Sequence, residues 1–395
     1  MTGLPDGPSS TTPAPSSGSD RGAARPVSTV AELLPVFPWD RLEPYKARAA
    51  AHPDGIVDLS VGTPVDPVPE LVQQVLRDSS DRPGYPTVWG TAAYRAAILG
   101  WAGRRLGATA LTERGVLPVV GSKELVAWLP VQLGLGPGDV VAFPRLAYPT
   151  YEVGARLARA DVATYADDPR ELDEETQARL RLVWLNSPSN PTGRVLPAGR
   201  LREIVAWARE RGVLIASDEC YLELGWEADP ASVLHPDVCG GSYEGLLALH
   251  SLSKRSNLAG YRAAFLLGDP GLLHALLQVR KHGGMMTAAP VQDAAAAALA
   301  DDAHVAEQRE RYARRRAALR KALEGSGFRV EHSEASLYLW ATREESCWDT
   351  VAALADLGIL VAPGEFYGED GARFVRVAFT ATDERVDAAV SRLAR

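Results

Sequence analysis

The segment HSLSKRSNLAGYR, residues 250–262, places two serines, a lysine and an arginine between the apolar runs LLAL and AAFLL. An amine at the end of a buried strand loses water, which frees it to attack a carbonyl. A guanidinium beside hydroxyls suits a phosphate. Two more polar segments follow apolar runs in the same way: NSPSNPTG (186–193) after RLVWL, and DECY (218–221) after VLIAS. Each group alone has an ordinary explanation. Lys254 reads as a surface charge and Asp218 as a helix cap. Arg262 with Ser251 and Ser253 reads as a turn, and Asn190 before Pro-Thr-Gly as another. Their recurrence just past three strand-like runs predicts one shared site, because open α/β sheets bind ligands beyond the carboxyl ends of their strands. Together the groups fit one molecule that offers an aldehyde to the lysine, a pyridine nitrogen to the carboxylate and a phosphate to arginine and serine. That molecule is pyridoxal 5′-phosphate.

The elements that must position these groups are also legible. Strand-like runs occur at 116–120, 140–143, 181–185, 213–217, 246–250 and 263–268. Leu201, Ile204, Val205 and Ala208 recur at helical spacing between two of them. Apolar strands alternating with helices predict an α/β layer structure with a mostly parallel sheet. The last hundred residues differ. Val305, Tyr312, Leu319 and Leu323 mark a long helix, LYLWA (337–341) and RFVRVAF (373–379) read as strands, and a final helix is expected to end at Arg395. This α+β pattern predicts a second, smaller domain.

Composition narrows the function class. The chain has 395 residues, 46% hydrophobic and 23% charged, and a net charge of −8, values of an ordinary soluble protein with a large core. The acidic balance argues against nucleic acid or an anionic membrane as partner, and no apolar run approaches a bilayer span. Cys220, Cys239 and Cys347 form no CxxC pair, which fits a reducing cytoplasm and argues against a disulfide framework or zinc site. The seven histidines show no metal-ligand spacing, so no metal is expected. The Pro-, Ser- and Thr-rich start has no signal-peptide core and reads as a disordered tail over residues 1–28.

The motifs SNPTG, SDECY, SLSKRSNLAGYR and FVRVAF, in this order, resemble those of fold-type I pyridoxal-phosphate aminotransferases of the aspartate aminotransferase superfamily. Lys254 and Arg262 stand eight residues apart, and Asp218 and Tyr221 three, as in that family. The resemblance runs from about residue 35 to the end and implies a large mostly parallel α/β/α domain with a smaller C-terminal α+β domain. The implied boundaries are an N-terminal arm at 29–62 joining the small domain, a cofactor-binding domain at 63–295 and the small domain at 296–395. It implies that Lys254 is the Schiff-base lysine and proton shuttle, and that Asp218 partners the pyridine nitrogen. Tyr221 and Asn190 are implied to meet the ring's phenolate oxygen, and Arg262, Ser251 and Ser253 the phosphate. VGSKELV (120–126) matches the loop that opens a phosphate-binding helix, with Ser122 and Lys123 as contacts, the latter through its main-chain N–H. In RLAYPTY, Tyr148 is the candidate to stack on the ring, although Leu146 stands at the family's usual aromatic position. Tyr85 in GYPTVWG matches a tyrosine that reaches the neighbouring subunit's phosphate, which implies a homodimer with shared active sites.

Arg376 matches the arginine that grips the substrate α-carboxylate; a charge in an apolar strand is costly unless paired. Gly62 in LSVGTP matches a glycine whose backbone lets substrate approach. The implied reaction exchanges an amino group between glutamate/2-oxoglutarate and an amino acid/keto acid pair. SLSKRSNLAGYR looks most like N-succinyldiaminopimelate aminotransferases of lysine biosynthesis, so the expected pair is N-succinyl-LL-2,6-diaminopimelate and N-succinyl-2-amino-6-ketopimelate. Alternatives are aspartate, alanine or LL-diaminopimelate specificity, or a β-lyase of the same fold. Arg255, Asn257 and Lys281 are candidates to meet a distal carboxylate or succinyl group. A ligand-sensing regulator is disfavoured, because the N-terminal extension has neither helical periodicity nor a basic cluster.

Overall fold

A computed structural model describes residues 29–394; the tail expected over 1–28 and the terminal Arg395 lie outside these residues. The apolar runs become a seven-stranded sheet: β1 (Val116–Val120), β2 (Val140–Pro144), β3 (Asp161–Tyr165), β4 (Leu180–Asn186), β5 (Leu214–Asp218), β6 (Leu246–Ser251) and β7 (Ala263–Gly268). Their order is β1-β7-β6-β5-β4-β2-β3. All neighbours are parallel except β7, which runs antiparallel to β1 and β6. Strands covered by helices on both faces carry continuous apolar sequence, and β1 and β7 span the expected residues. β3 has no counterpart among the strand-like runs. Its sequence DVATY is largely exposed at the sheet edge, where a strand needs no apolar run.

Helices α1 (Ser122–Gln132), α2 (Ala198–Glu210), α3 (Leu252–Arg255), α4 (Ala303–Gly325) and α5 (Asp383–Leu393) are the ones that bear on the site. Consecutive strand residues face opposite sides of the sheet. Ile215 therefore joins a core with Ile98, Trp101, Ile204 and Phe265, while Ala216 joins another with Leu125, Leu129, Tyr151 and Trp184. Each fully buried large apolar side chain contributes about 1.5–3 kcal/mol, so the sheet is a stiff platform.

A third core lies around a four-stranded antiparallel sheet of β8 (Arg329–Glu331), β9 (Tyr338–Thr342), β10 (Ala362–Pro363) and β11 (Val375–Ala378), ordered β10-β11-β9-β8. It joins Leu42, Val57 and Leu59 near the start of the described chain to Tyr312, Leu319, Trp340, Val377 and Phe379. The Ala378 N–H donates to Leu59 O at 2.8 Å. That contact leads the 59–62 segment along the small sheet toward the strand ends of the large one. The last helix closes at Leu393, two residues before the expected end.

Candidate active site

Three adjacent strands end together. β4 closes on Asn186, β5 on Asp218 and β6 on Ser251. Asn186 pairs with Asp218, and Asp218 with Leu249, so the chain leaves the sheet at nearly one level. Lys254 follows in the four-residue helix α3, which Ser251 caps by accepting the Ser253 N–H at 3.1 Å.

Asp218 is buried. Its Oδ2 accepts the Tyr151 hydroxyl at 2.9 Å, and its Oδ1 accepts the Cys220 N–H at 3.2 Å. Burial raises its pKa, while the bonds from Cys220 and Tyr151 and the charge of Lys254 oppose the rise. Both hydrogen-bond donors are neutral, so a cationic ring N–H is the partner this carboxylate lacks. The Asn186 amide donates to Asp218 O at 3.0 Å and its Oδ1 accepts the Asn190 N–H at 2.7 Å, which ties the SNPTG loop to the carboxylate.

The turn that carries Lys254 also carries the groups of a cradle for an anion. The hydroxyls of Ser251 and Ser253 are 2.9 Å apart and buried. Arg262 sits in the left-handed region at φ 56°, ψ 39°, and its Nη1 donates to Ala259 O at 2.8 Å. Its guanidinium lies so close to Gly121 that a Cβ there would stand 2.1 Å from Nη2; Gly121 also has φ +80°. Only glycine meets both demands. Gly121 opens α1, whose first N–H groups, with Ser122 and Lys123, have no intrahelical acceptor. The Lys123 ammonium lies over the Phe37 ring at 5.4 Å.

Arg376 stands in mid-β11, opposite Trp340 and 3% exposed. Nη1 donates to Asn190 Oδ1 at 2.8 Å and Nη2 to Ser60 O at 2.7 Å, whereas buried Nε has no partner. The guanidinium carbon lies 3.9 Å from the Tyr338 ring centre and 4.8 Å from that of Tyr367. A buried cation held only by neutral groups invites an anion. Lys254 Nζ donates to Gly62 O at 2.5 Å, and a Cβ on Gly62 would approach the Tyr338 hydroxyl to 2.4 Å. The Tyr221 and Tyr338 hydroxyls are 2.9 Å apart.

The structure thus brings Lys254, Asp218, Tyr221, Asn190, Gly62 and Arg376 together. Tyr148 packs edge-on to Tyr151 at 5.9 Å, with its phenol pushed up to about 12 by burial. Tyr85 stands apart, 99% exposed. Two of the distal candidates are corrected. Arg255 is buried and committed to Glu223 at 2.6 Å and to Ala298 O at 2.9 Å, and Asn257 bonds to Pro67 O and Gln308. Sequence reasoning passed over Tyr151, Asn186, Ser60 and Tyr338. Asn186 directly follows an apolar run, and Tyr338 is a hydroxyl inside one; those were the available signals.

The cradle, the buried carboxylate with only neutral hydrogen-bond donors and the Lys254 amine fit the phosphate, pyridine nitrogen and aldehyde carbon of pyridoxal 5′-phosphate. Among the described residues no group of three or more His, Cys, Asp or Glu side chains could hold a metal ion. No described helix is long and apolar enough to cross a membrane. The family model for aminotransferase class I and II matches residues 54–393. The chain belongs to this family. It is a pyridoxal-phosphate-dependent aminotransferase with the fold-type I architecture. This aminotransferase is 62% identical, over 91% of its length and 99% of the other's, to the 4-dedimethylamino-4-oxo-anhydrotetracycline transaminase OxyQ of Streptomyces rimosus. It is 30% identical to an LL-diaminopimelate aminotransferase of Oleidesulfovibrio alaskensis, over 91% of this chain and 96% of that one. Among solved structures, a probable N-succinyldiaminopimelate aminotransferase from Thermus thermophilus superposes with a TM-score of 0.82 at 28% identity, covering 91% of this chain and 99% of that one.

Proposed function

We propose that this aminotransferase moves an amino group between glutamate and a 2-oxo acid of the diaminopimelate type, N-succinyl-2-amino-6-ketopimelate. The observation that carries the reading is Arg376, a buried guanidinium with neutral partners and a spare Nε, on the same short backbone segment that holds Lys254. Two parallel hydrogen bonds from a guanidinium orient a carboxylate. They also fix the adjacent carbon near the amine, which converts binding energy into alignment. An acceptor that is itself a 2-oxo acid gives Arg376 a carboxylate in both halves of the exchange. The relatives and the solved structure named for diaminopimelate substrates agree with this choice.

When bound, pyridoxal 5′-phosphate supplies an electron sink for the pair left by the departing α-proton. The protein's own groups do the rest. Lys254 Nζ, held at Gly62 O, takes the proton from the substrate carbon and returns it one position away. Asp218, whose burial-raised pKa is opposed by the bonds from Cys220 and Tyr151, would hold a proton on the ring nitrogen. Tyr221 and the Asn190 amide donate to the ring's phenolate oxygen; Asn190 Oδ1 is already committed to Arg376, so its N–H groups remain. Arg262, Ser251, Ser253, Ser122 and the Lys123 main-chain N–H hold the phosphate, and Tyr148 covers the ring face. Exposed Tyr85 is assigned to the phosphate of the other subunit in a homodimer, and the protein to the cytoplasm.

A second reading follows from the 62% identity to OxyQ: a ring ketone as acceptor. Such a ketone carries no α-carboxylate and leaves Arg376 unpaired in that half-reaction. Steady-state assays with glutamate and a panel containing N-succinyl-2-amino-6-ketopimelate, oxaloacetate, pyruvate and a polycyclic ketone decide between them. Preference for the succinylated keto acid by about tenfold or more, near 1.4 kcal/mol, supports the proposal. Comparable rates with oxaloacetate and pyruvate, or turnover of the ring ketone alone, remove it. Release of pyruvate and ammonia would point to a β-lyase.

A further inference from the structure

Tyr338 has no role in the assignments above. It lies on β9, opposite Ala378 of β11, and is 3% exposed. Three contacts converge on it. Its hydroxyl is 2.9 Å from that of Tyr221. Its ring face carries the Arg376 guanidinium at 3.9 Å, well inside the roughly 6 Å reach of a cation–π contact. Its hydroxyl end packs on Gly62 with no room for a Cβ, and the Gly62 carbonyl holds Lys254. One side chain therefore touches the carboxylate anchor, the phenol assigned to the ring oxygen and the residue that steadies the amine.

We infer that Tyr338 is a positioning residue through which occupancy of the carboxylate site at Arg376 is felt at Tyr221 and Lys254. This rests on the reading that Arg376 takes the substrate carboxylate and Lys254 carries the cofactor. The charged and titratable groups facing the hydroxyl are Tyr221, Arg376, Lys254 and Asp218, with Tyr148 and Tyr367 nearby. Burial weakens both phenols as acids. At Tyr338 the charges of Arg376 and Lys254 outweigh burial and hold its pKa below the ordinary value, whereas Tyr221 stays well above it. The two hydroxyls share one hydrogen bond that either oxygen can donate, so a change of charge at one phenol is carried to the other. Donation in such a chain is cooperative. A carboxylate on Arg376 offsets the charge under which Tyr338 sits and so alters the hydrogen bond that Tyr338 shares with Tyr221.

The test uses holoenzyme, with the visible absorbance of the bound cofactor titrated against pH, with and without glutarate, a dicarboxylate that has no amino group to transfer. In the native protein glutarate is expected to move the midpoint. In Tyr338→Phe, which keeps the ring under Arg376, the glutarate-free midpoint shifts by about one unit, the equivalent of one net hydrogen bond. The glutarate-induced movement falls to less than half, and glutarate affinity changes less than about threefold. Tyr338→Leu removes the ring and is expected to weaken glutarate binding about tenfold, within the range of a desolvated cation–π contact. Should Tyr338→Phe fail to fold, Tyr221→Phe breaks the same hydrogen bond from the other side and is expected to lose the glutarate response as well. A folded Tyr338→Phe that titrates like the native protein in both conditions overturns the inference. Native protein that binds no chromophore, or binds it elsewhere than Lys254, instead removes the underlying reading.

Discussion

The large and small sheets handle their polar groups in opposite ways. In the large sheet, Asn186, Asp218 and Ser251 are terminal strand residues, and the chemistry lies on the turns just past them. The strand interiors are mostly apolar, and Arg181, Ser217 and His250 lie next to strand ends. In the small sheet the charge sits inside a strand: Arg376 is the second residue of the four-residue β11, flanked by Val375 and Val377. Groups at strand ends have neighbouring turns and backbone N–H groups to meet them. A charge in a strand interior depends on whatever packs on that face, here the SNPTG loop, the Ser60 carbonyl and two tyrosine rings. The lesson is that the proposed cofactor end gathers its groups from turns just past strand ends, whereas the proposed substrate end sets one charge inside a strand.

The comparison can be broken most forcefully at Lys254. Lys254→Ala is expected to lower the rate by about 10⁴-fold or more, since amine and proton shuttle go together; borohydride reduction followed by peptide mapping should find no adduct at that position. Next comes Asp218→Asn, which preserves shape and removes charge. A drop in kcat of about 10²–10³-fold is expected, the scale of a lost preorganised electrostatic contact. A variant with native kcat would mean that the strand-end carboxylate is only structural.

Arg376→Lys probes the strand-interior charge. Lysine cannot donate two parallel bonds, and it leaves Asn190 Oδ1 or Ser60 O short of a donor. A loss of about 2–3 kcal/mol is expected, read as a fall of about 30- to 150-fold in kcat/KM for α-carboxylate substrates. The smallest effect belongs to Tyr151→Phe. Removing the hydroxyl takes away one of the bonds that oppose the burial-raised Asp218 pKa, so that pKa rises further. Because the ionised carboxylate is the working form, activity is lost from the acid side. The acid limb of the pH–kcat profile should move upward, with about a tenfold loss below neutral pH and little change at high pH. An unmoved limb would show that Tyr151 packs without tuning Asp218.

The contrast between the sheets also explains what the sequence could disclose. Strands β1 and β7 were readable because they are buried on both faces and stay apolar throughout. Edge strand β3 was not, since DVATY faces solvent along much of its length. Lys254, Asp218, Asn190 and Arg262 stood out because each lies in a short polar stretch beside an apolar run. Tyr151 and Tyr338 did not, because their importance comes from partners 67 and 117 residues away. Arg255 could not be placed from sequence for a related reason: its side chain turns into a buried cluster with Glu223 and Ser256.

The hydrogen bonds from Lys254 to Gly62 O and from Arg376 to Ser60 O have a geometric corollary. Both groups are fastened to carbonyls two residues apart on one backbone, and two residues of chain reach at most about 7 Å. This short stretch of peptide acts as a ruler between the Lys254 nitrogen and the Arg376 cation. On the roles proposed for them, amino acids with a single carbon between amine and carboxylate are expected to match its graduations, and homologues lengthened at that point to overrun them.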